Sequence, residues 1–111
     1  MQIPLTDHEY TILDYLADGA QPLTWLIREL HGSSRLWDTA VIVSSLVRLV
    51  EQQLIHYCQA PGGPHFTNPT QEIIQSQVYA ILNDTEQHWW LEMTDTGQHA
   101  WEVWQQSRFG M

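Results

Sequence analysis

The sequence predicts an α+β fold, mainly helical, in one domain spanning residues 1–111. Three observations carry this. Capping residues are repeatedly followed by apolar residues at helical spacing. Two short runs, Leu54 to Cys58 and His88 to Met93, read as strands. Pro and Gly punctuate the chain between these elements, most heavily at Ala60-Pro61-Gly62-Gly63-Pro64. The length of 111 residues suits a single core, since independent domains usually run to roughly 100–150 residues.

Thr6-Asp7-His8-Glu9 is a capping box and opens the first helix. Ile12, Leu13, Leu16 and Ala17 follow at helical spacing, and Gly19 stops the helix near Asp18. Pro22 opens a short second helix, where its missing N–H costs nothing. Leu23, Leu26, Ile27 and Leu30 form its apolar stripe, and Gly32 is its expected stop. Ser33, Ser34 and Asp38 each offer a cap for a third helix, so its start falls near Arg35 or near Thr39. That helix runs through Ile42, Leu46 and Leu49 to about Gln53. Residues 70–83 read either as a helix capped by Asn68-Pro69-Thr70, with Ile73, Ile74, Val78, Ile81 and Leu82 on one side, or as an unstructured excursion. In the second strand Trp89, Leu91 and Met93 share one face, with Trp90 and Glu92 on the other. Thr94 caps a last helix that carries Ala100, Trp101, Val103 and Trp104 inward.

This order resembles the winged helix-turn-helix superfamily, nearest to regulators of the multiple-antibiotic-resistance type. Four stretches carry the likeness: Leu5 to Leu16, Leu23-Thr24 through Leu30-His31-Gly32, Leu49-Val50-Glu51-Gln52-Gln53-Leu54-Ile55, and Leu91-Glu92-Met93-Thr94-Asp95-Thr96-Gly97. The third looks like the family's junction from recognition helix to first wing strand, with Gln53 where the family usually has Gly. The fourth looks like the second wing strand entering its Thr-x-x-Gly helix start. The resemblance implies a three-helix core, a two-stranded wing with a long connection and room for an inserted helix, and a C-terminal helix. It also implies a homodimer through terminal helices, for which Trp101 and Trp104 are the candidate contacts.

In such a family the third helix enters the DNA major groove. With Leu49, Leu46 and Ile42 inward, the outward positions are Ala40, Val41, Val43, Ser44 and Val47, with Arg48 at the edge. DNA readers present Arg, Lys, Asn, Gln, Ser or Thr there, whereas this helix presents mostly valine. The formal charge is -9, from 4 arginines against 13 acids, with no lysine. Leu54 to Thr96 holds five acids and no cation. Phosphate is repelled by such a surface. A DNA-binding regulator would have to rely on Arg28, Arg35, Ser44 and Arg48.

Six tryptophans need a place. Trp89, Trp101 and Trp104 most simply make core, Trp25, Trp37 and Trp90 are harder to bury together, and of these Trp37 and Trp90 read as interface residues. Together with Ala40, Val41, Val43, Ser44 and Val47 they are the expected partner-binding set. A metal site would draw on His56, Cys58 and His88, but no Cys-x-x-Cys or His-x-x-x-His spacing supports one, and no metal or cofactor is expected. Gly62-Gly63 leads into no phosphate-loop Lys, and no Gly-x-Ser-x-Gly elbow exists. The single cysteine, the lack of an apolar run of membrane length and the lack of a secretory pattern suit a cytoplasmic setting. The expectation is a non-catalytic interaction or regulatory module that binds a protein partner or itself, with DNA disfavoured by charge and no membrane contact. Its rival is a dimeric DNA-binding regulator.

Overall fold

The computed structural model describes residues 5–63, 65–66 and 69–108. It is α+β and mainly helical. The order is α1 (Asp7–Leu16), β1 (Gln21–Pro22), α2 (Leu23–Ser33), α3 (Thr39–Glu51), β2 (Ile55–Cys58), β3 (His65–Phe66), α4 (Gln71–Leu82), β4 (Trp90–Met93) and α5 (Asp95–Arg108). Among the described residues the sheet is antiparallel and ordered β1-β4-β2-β3. No helix of the described residues is long and apolar enough to cross a membrane.

The caps form as their chemistry requires. The Glu9 N–H donates to Thr6 Oγ1 at 3.2 Å, and the Thr6 N–H donates to Glu9 Oε1 at 2.8 Å. Asp38 rather than Ser33 or Ser34 caps α3, accepting from the Val41 N–H at 2.9 Å. Thr70 caps α4 by accepting from the Ile73 N–H, so residues 71–82 are helical. The helix-stop expectations shift slightly. α1 ends at Leu16, short of Asp18, and α2 runs through Gly32 to Ser33.

Buried side chains of α1, α2, α3, β2, α4 and β4 form one core. Leu23, Leu26, Ile27 and Leu30 of α2 are fully enclosed, as their spacing predicts. Two expected inward residues are corrected. Ile73 and Val103 are exposed, because each lies a large rotation away from the buried stripe of its helix.

A strand that the sequence did not announce precedes α2. Gln21 pairs with Leu91 and Pro22 with Trp90, and the Leu23 N–H donates to the Trp89 carbonyl at 2.8 Å. Pro22 therefore lies in an edge strand and serves as the N-cap of α2 rather than its first turn.

The junction after α3 is closely packed, with no room for a side chain at Gly97. Gln53 takes a φ of 60°, the left-handed conformation that glycine adopts most easily. The Thr94 hydroxyl donates to the Gln53 carbonyl at 2.7 Å and accepts from the Gly97 N–H at 3.0 Å. A Cβ on Gly97 would overlap the Leu54 carbonyl oxygen. Thr94 and Gly97 thus seat the start of α5 directly on the α3–β2 turn.

Candidate functional site

α3 is the natural first place to look for a recognition surface, and most of it is enclosed. Ile42, Ser45, Leu46 and Leu49 face the core. Val43 and Val50 are also buried, each 8% exposed, and α4 packs along α3 with Ile74, Val78 and Ile81 buried. Val41 and Val47 are half-buried and pack against the core. The apolar circumference of this helix is therefore met from within the chain, and the expected free valine face is corrected at Val43. Ala40, Ser44 and Glu51 form the exposed stripe.

The cation of α3 is held elsewhere. Glu9, 1% exposed on α1, lies with Oε2 3.0 Å from Arg48 Nε. The Glu9 carboxylate thus serves the α1 cap with one oxygen and the α3 guanidinium with the other. A buried carboxylate needs such partners, because an uncompensated charge out of water is costly. Arg48 consequently ties two helices together.

Tryptophan placement differs from expectation as well. Trp37 is 8% exposed and meets the His8 ring edge-on at 4.6 Å, so it belongs to the core. Trp90 is half-buried on the sheet. Trp101 donates from Nε1 to Asp14 Oδ1 at 2.9 Å, and Trp104 stacks on Tyr10 with ring centroids 5.1 Å apart. Both anchor α5 onto α1 of their own chain, which accounts for their spacing without a second copy.

Trp25 is the tryptophan left open, at 43% exposure. Its ring touches Tyr15 edge-on with centroids 5.9 Å apart. It lines a shallow groove of about 430 Å³ with Pro22, Thr24, Arg28, Glu29 and the Glu86–Gln87 segment. The far wall is fixed, because Thr24 Oγ1 donates to the Gln87 carbonyl and accepts from the Gln87 N–H. Along the next turn, Leu36 is 71% exposed beside Arg35. Sequence reasoning named Arg28 and Arg35 as candidate contacts and marked Trp25 as hard to bury, but left Trp25 and Leu36 out of the expected site. For Trp25 the signal was available, since it lies off the Leu23, Leu26, Ile27, Leu30 stripe, whereas Leu36 falls in the turn beyond α2, where no helical phase applies.

The histidine and cysteine candidates do not assemble. His56 and Cys58 share one side of β2, but His56 Nε2 lies 3.0 Å from Glu92 Oε1. Glu92 Oε2 accepts from the Gly62 N–H at 3.1 Å, bracing the turn after β2. Cys58 is buried, with Sγ 3.8 Å from the Trp90 carbonyl. Burial, and then the charge of Glu92, push its thiol up from the ordinary range, which disfavours the thiolate a nucleophile or ligand requires. His88 is exposed before β4. Among the described residues no group of three or more His, Cys, Asp or Glu is arranged to hold a metal ion. Tyr57, at the centre of the sheet, is pushed up by burial, which keeps the phenol neutral.

Eleven of the 13 acids are exposed, Glu9 and Glu92 being the exceptions. Among the described side chains the exposed arginines are Arg28, on α2, and Arg35, in the turn after it. No family model, curated protein or solved structure matches this chain.

Proposed function

We propose that this chain is a winged-helix domain acting as a non-catalytic protein-interaction or regulatory module, with weak or no affinity for DNA. The element order supports the winged-helix reading. A short strand between the first two helices pairs with the last strand, which pairs in turn with the strand after the third helix. On that reading α3 is the recognition helix and the β2–β4 connection is the wing, enlarged by β3 and α4.

One observation carries the functional reading. The helix that would enter a major groove is enclosed by α1 and α4, and its open stripe of Ala40, Ser44 and Glu51 holds no cation. The rival DNA-binding reading loses its nearest phosphate contact, since Arg48 is committed to Glu9. The open apolar surface lies instead at Trp25 and Leu36, flanked by Arg28 and Arg35, and Trp and Arg are the residue types enriched at interface hot spots. The buried free Cys58 suits a reducing, cytoplasmic setting.

The deciding experiment is titration of random-sequence duplex DNA by fluorescence anisotropy, from low to physiological salt. The expected result is no binding at any salt. Micromolar binding with a steep negative salt slope, flattened by Arg28→Ala or Arg35→Ala, would overturn the reading in favour of the dimeric DNA-binding regulator.

A further inference from the structure

The groove beside Trp25 is walled by α2 on one side and by the Glu86–Gln87 segment on the other, and both walls are held. Tyr15 props the Trp25 ring edge-on, while 43% of that tryptophan stays open. Thr24 Oγ1 bonds both the N–H and the carbonyl of Gln87, which tethers the neighbouring Glu86 to the far wall. Three charged side chains line the groove: Glu29, Glu86 and Arg28. Two carboxylates against one guanidinium leave it net negative. None of the three forms an ion pair with another described residue, so both carboxylates are available. Trp25 and Glu29 stand one turn apart on the same face of α2.

We propose that this groove takes a single arginine side chain from a partner polypeptide. An indole face attracts a cation more strongly than any other side-chain ring. A guanidinium lies flat on such a face and offers enough donors to serve two carboxylates at once. The positive end of the α2 dipole lies at Leu23, which places the incoming cation toward Glu29, a turn and a half further on. A shallow space of about 430 Å³ suits one long side chain and its main chain better than a helix, which is roughly 10–12 Å across. Long-range charge agrees. The chain carries a formal charge of -9 and exposes eleven acids, so it steers a basic partner inward and repels an acidic one.

The proposal rests on the domain being an interaction module and names the chemistry of its partner. Its test is a nuclear magnetic resonance titration of the nitrogen-15-labelled chain with acetyl-Ala-Arg-Ala-amide, and with acetyl-Ala-Glu-Ala-amide as the opposite charge. The reporters are the Trp25 indole N–H and the Gln87 backbone N–H, and circular dichroism confirms that each variant is folded. The arginine probe is expected to shift both signals saturably, with a Kd of roughly millimolar, and the glutamate probe to shift neither. Glu29→Gln and Glu86→Gln are each expected to weaken binding about three- to fivefold, and Trp25→Ala, followed at Gln87, about tenfold. Arg28→Gln is expected to tighten it about twofold, since it removes the one opposing charge. That sign separates this groove from a site for an acidic partner, where the same change would weaken binding. Absence of a saturable shift at these two signals overturns the proposal, as does an equal response to the glutamate probe. Indifference to both Glu29→Gln and Glu86→Gln overturns it too, since the attraction would then come from the overall charge alone. Any of these failures leaves the DNA titration, on which the module reading stands, untouched.

Discussion

α2 and α3 are neighbouring amphipathic helices whose outer faces have had opposite fates. Each buries a stripe of leucine and isoleucine in the same core. On α3 α4 takes up one flank and the Glu9–Arg48 pair the other, which leaves open only the narrow stripe of Ala40, Ser44 and Glu51. On α2 the remaining surface stays open and carries an exposed tryptophan and an arginine that forms no ion pair among the described residues. The contrast teaches that a fold resemblance does not say which helix does the recognising. In this chain α4, in the segment between β2 and β4, packs on α3, while α2 keeps an open outer face.

The largest test of that contrast sets two adjacent residues of α3 against each other. Val43→Glu is expected to remove at least about 3 kcal/mol and leave little folded protein, because it places an unpaired charge at a buried position of the helix that α4 packs on. Ser44→Glu, one residue on, is expected to stay within about 0.5 kcal/mol, as surface changes do. Urea unfolding of both variants checks the pair. Equal losses would mean that α4 does not cover Val43. Removing the cover itself comes next: Ile81→Ala in α4 is expected to cost about 2–4 kcal/mol by the same measurement.

Arg48→Ala ranks below these. It strands the Glu9 carboxylate, and since Arg48 is itself about one-third exposed, the expected loss is about 2 kcal/mol rather than the full cost of breaking a buried pair. A loss near zero would show that Arg48 is free for other work, and the closed picture of α3 would fail. The smallest effect has the opposite sign. Gln53→Gly at the end of α3 relieves a left-handed backbone and is expected to stabilise the domain by about 0.5–1 kcal/mol, read as a rise in the urea midpoint. No gain would mean that the Gln53 side chain contributes enough to offset its strain.

Helices were legible in the sequence because each cap is a local event. Thr6, Asp38, Thr70 and Thr94 each accept from a backbone N–H three residues on. Strand β1 was not legible, since two residues carry no alternation and one of them is proline. The site was half legible. An all-round apolar α3 does signal burial on both sides, but the sequence does not say by what. The answer lies some thirty residues downstream in α4. Counting back from Leu49 by helical steps marks the core-facing stripe and leaves Val43 outside it, because that ruler recognises one buried side only. Of the three tryptophans that are hard to bury together, Trp25 is the one left open, because its helical phase points it away from the α2 stripe, while Trp37 is enclosed.

The long excursion between β2 and β4 also bears on how the domain assembles. The chain pairs β3 with β2, leaves the sheet after Phe66 and returns at Trp90, directly beside Cys58. Helices α1, α2 and α3 meet through contacts close in sequence, whereas the β2–β4 ladder must close a loop of some thirty residues before its pairing is rewarded. α4 sits midway along that loop and docks on α2 and α3. Docking it first splits one long closure into two shorter ones. Weakening α4 is then expected to slow folding as well as hasten unfolding, and Ile81→Ala should show a φ-value well above zero in stopped-flow refolding. The segment that closes off the third helix would in that case also guide the sheet to completion.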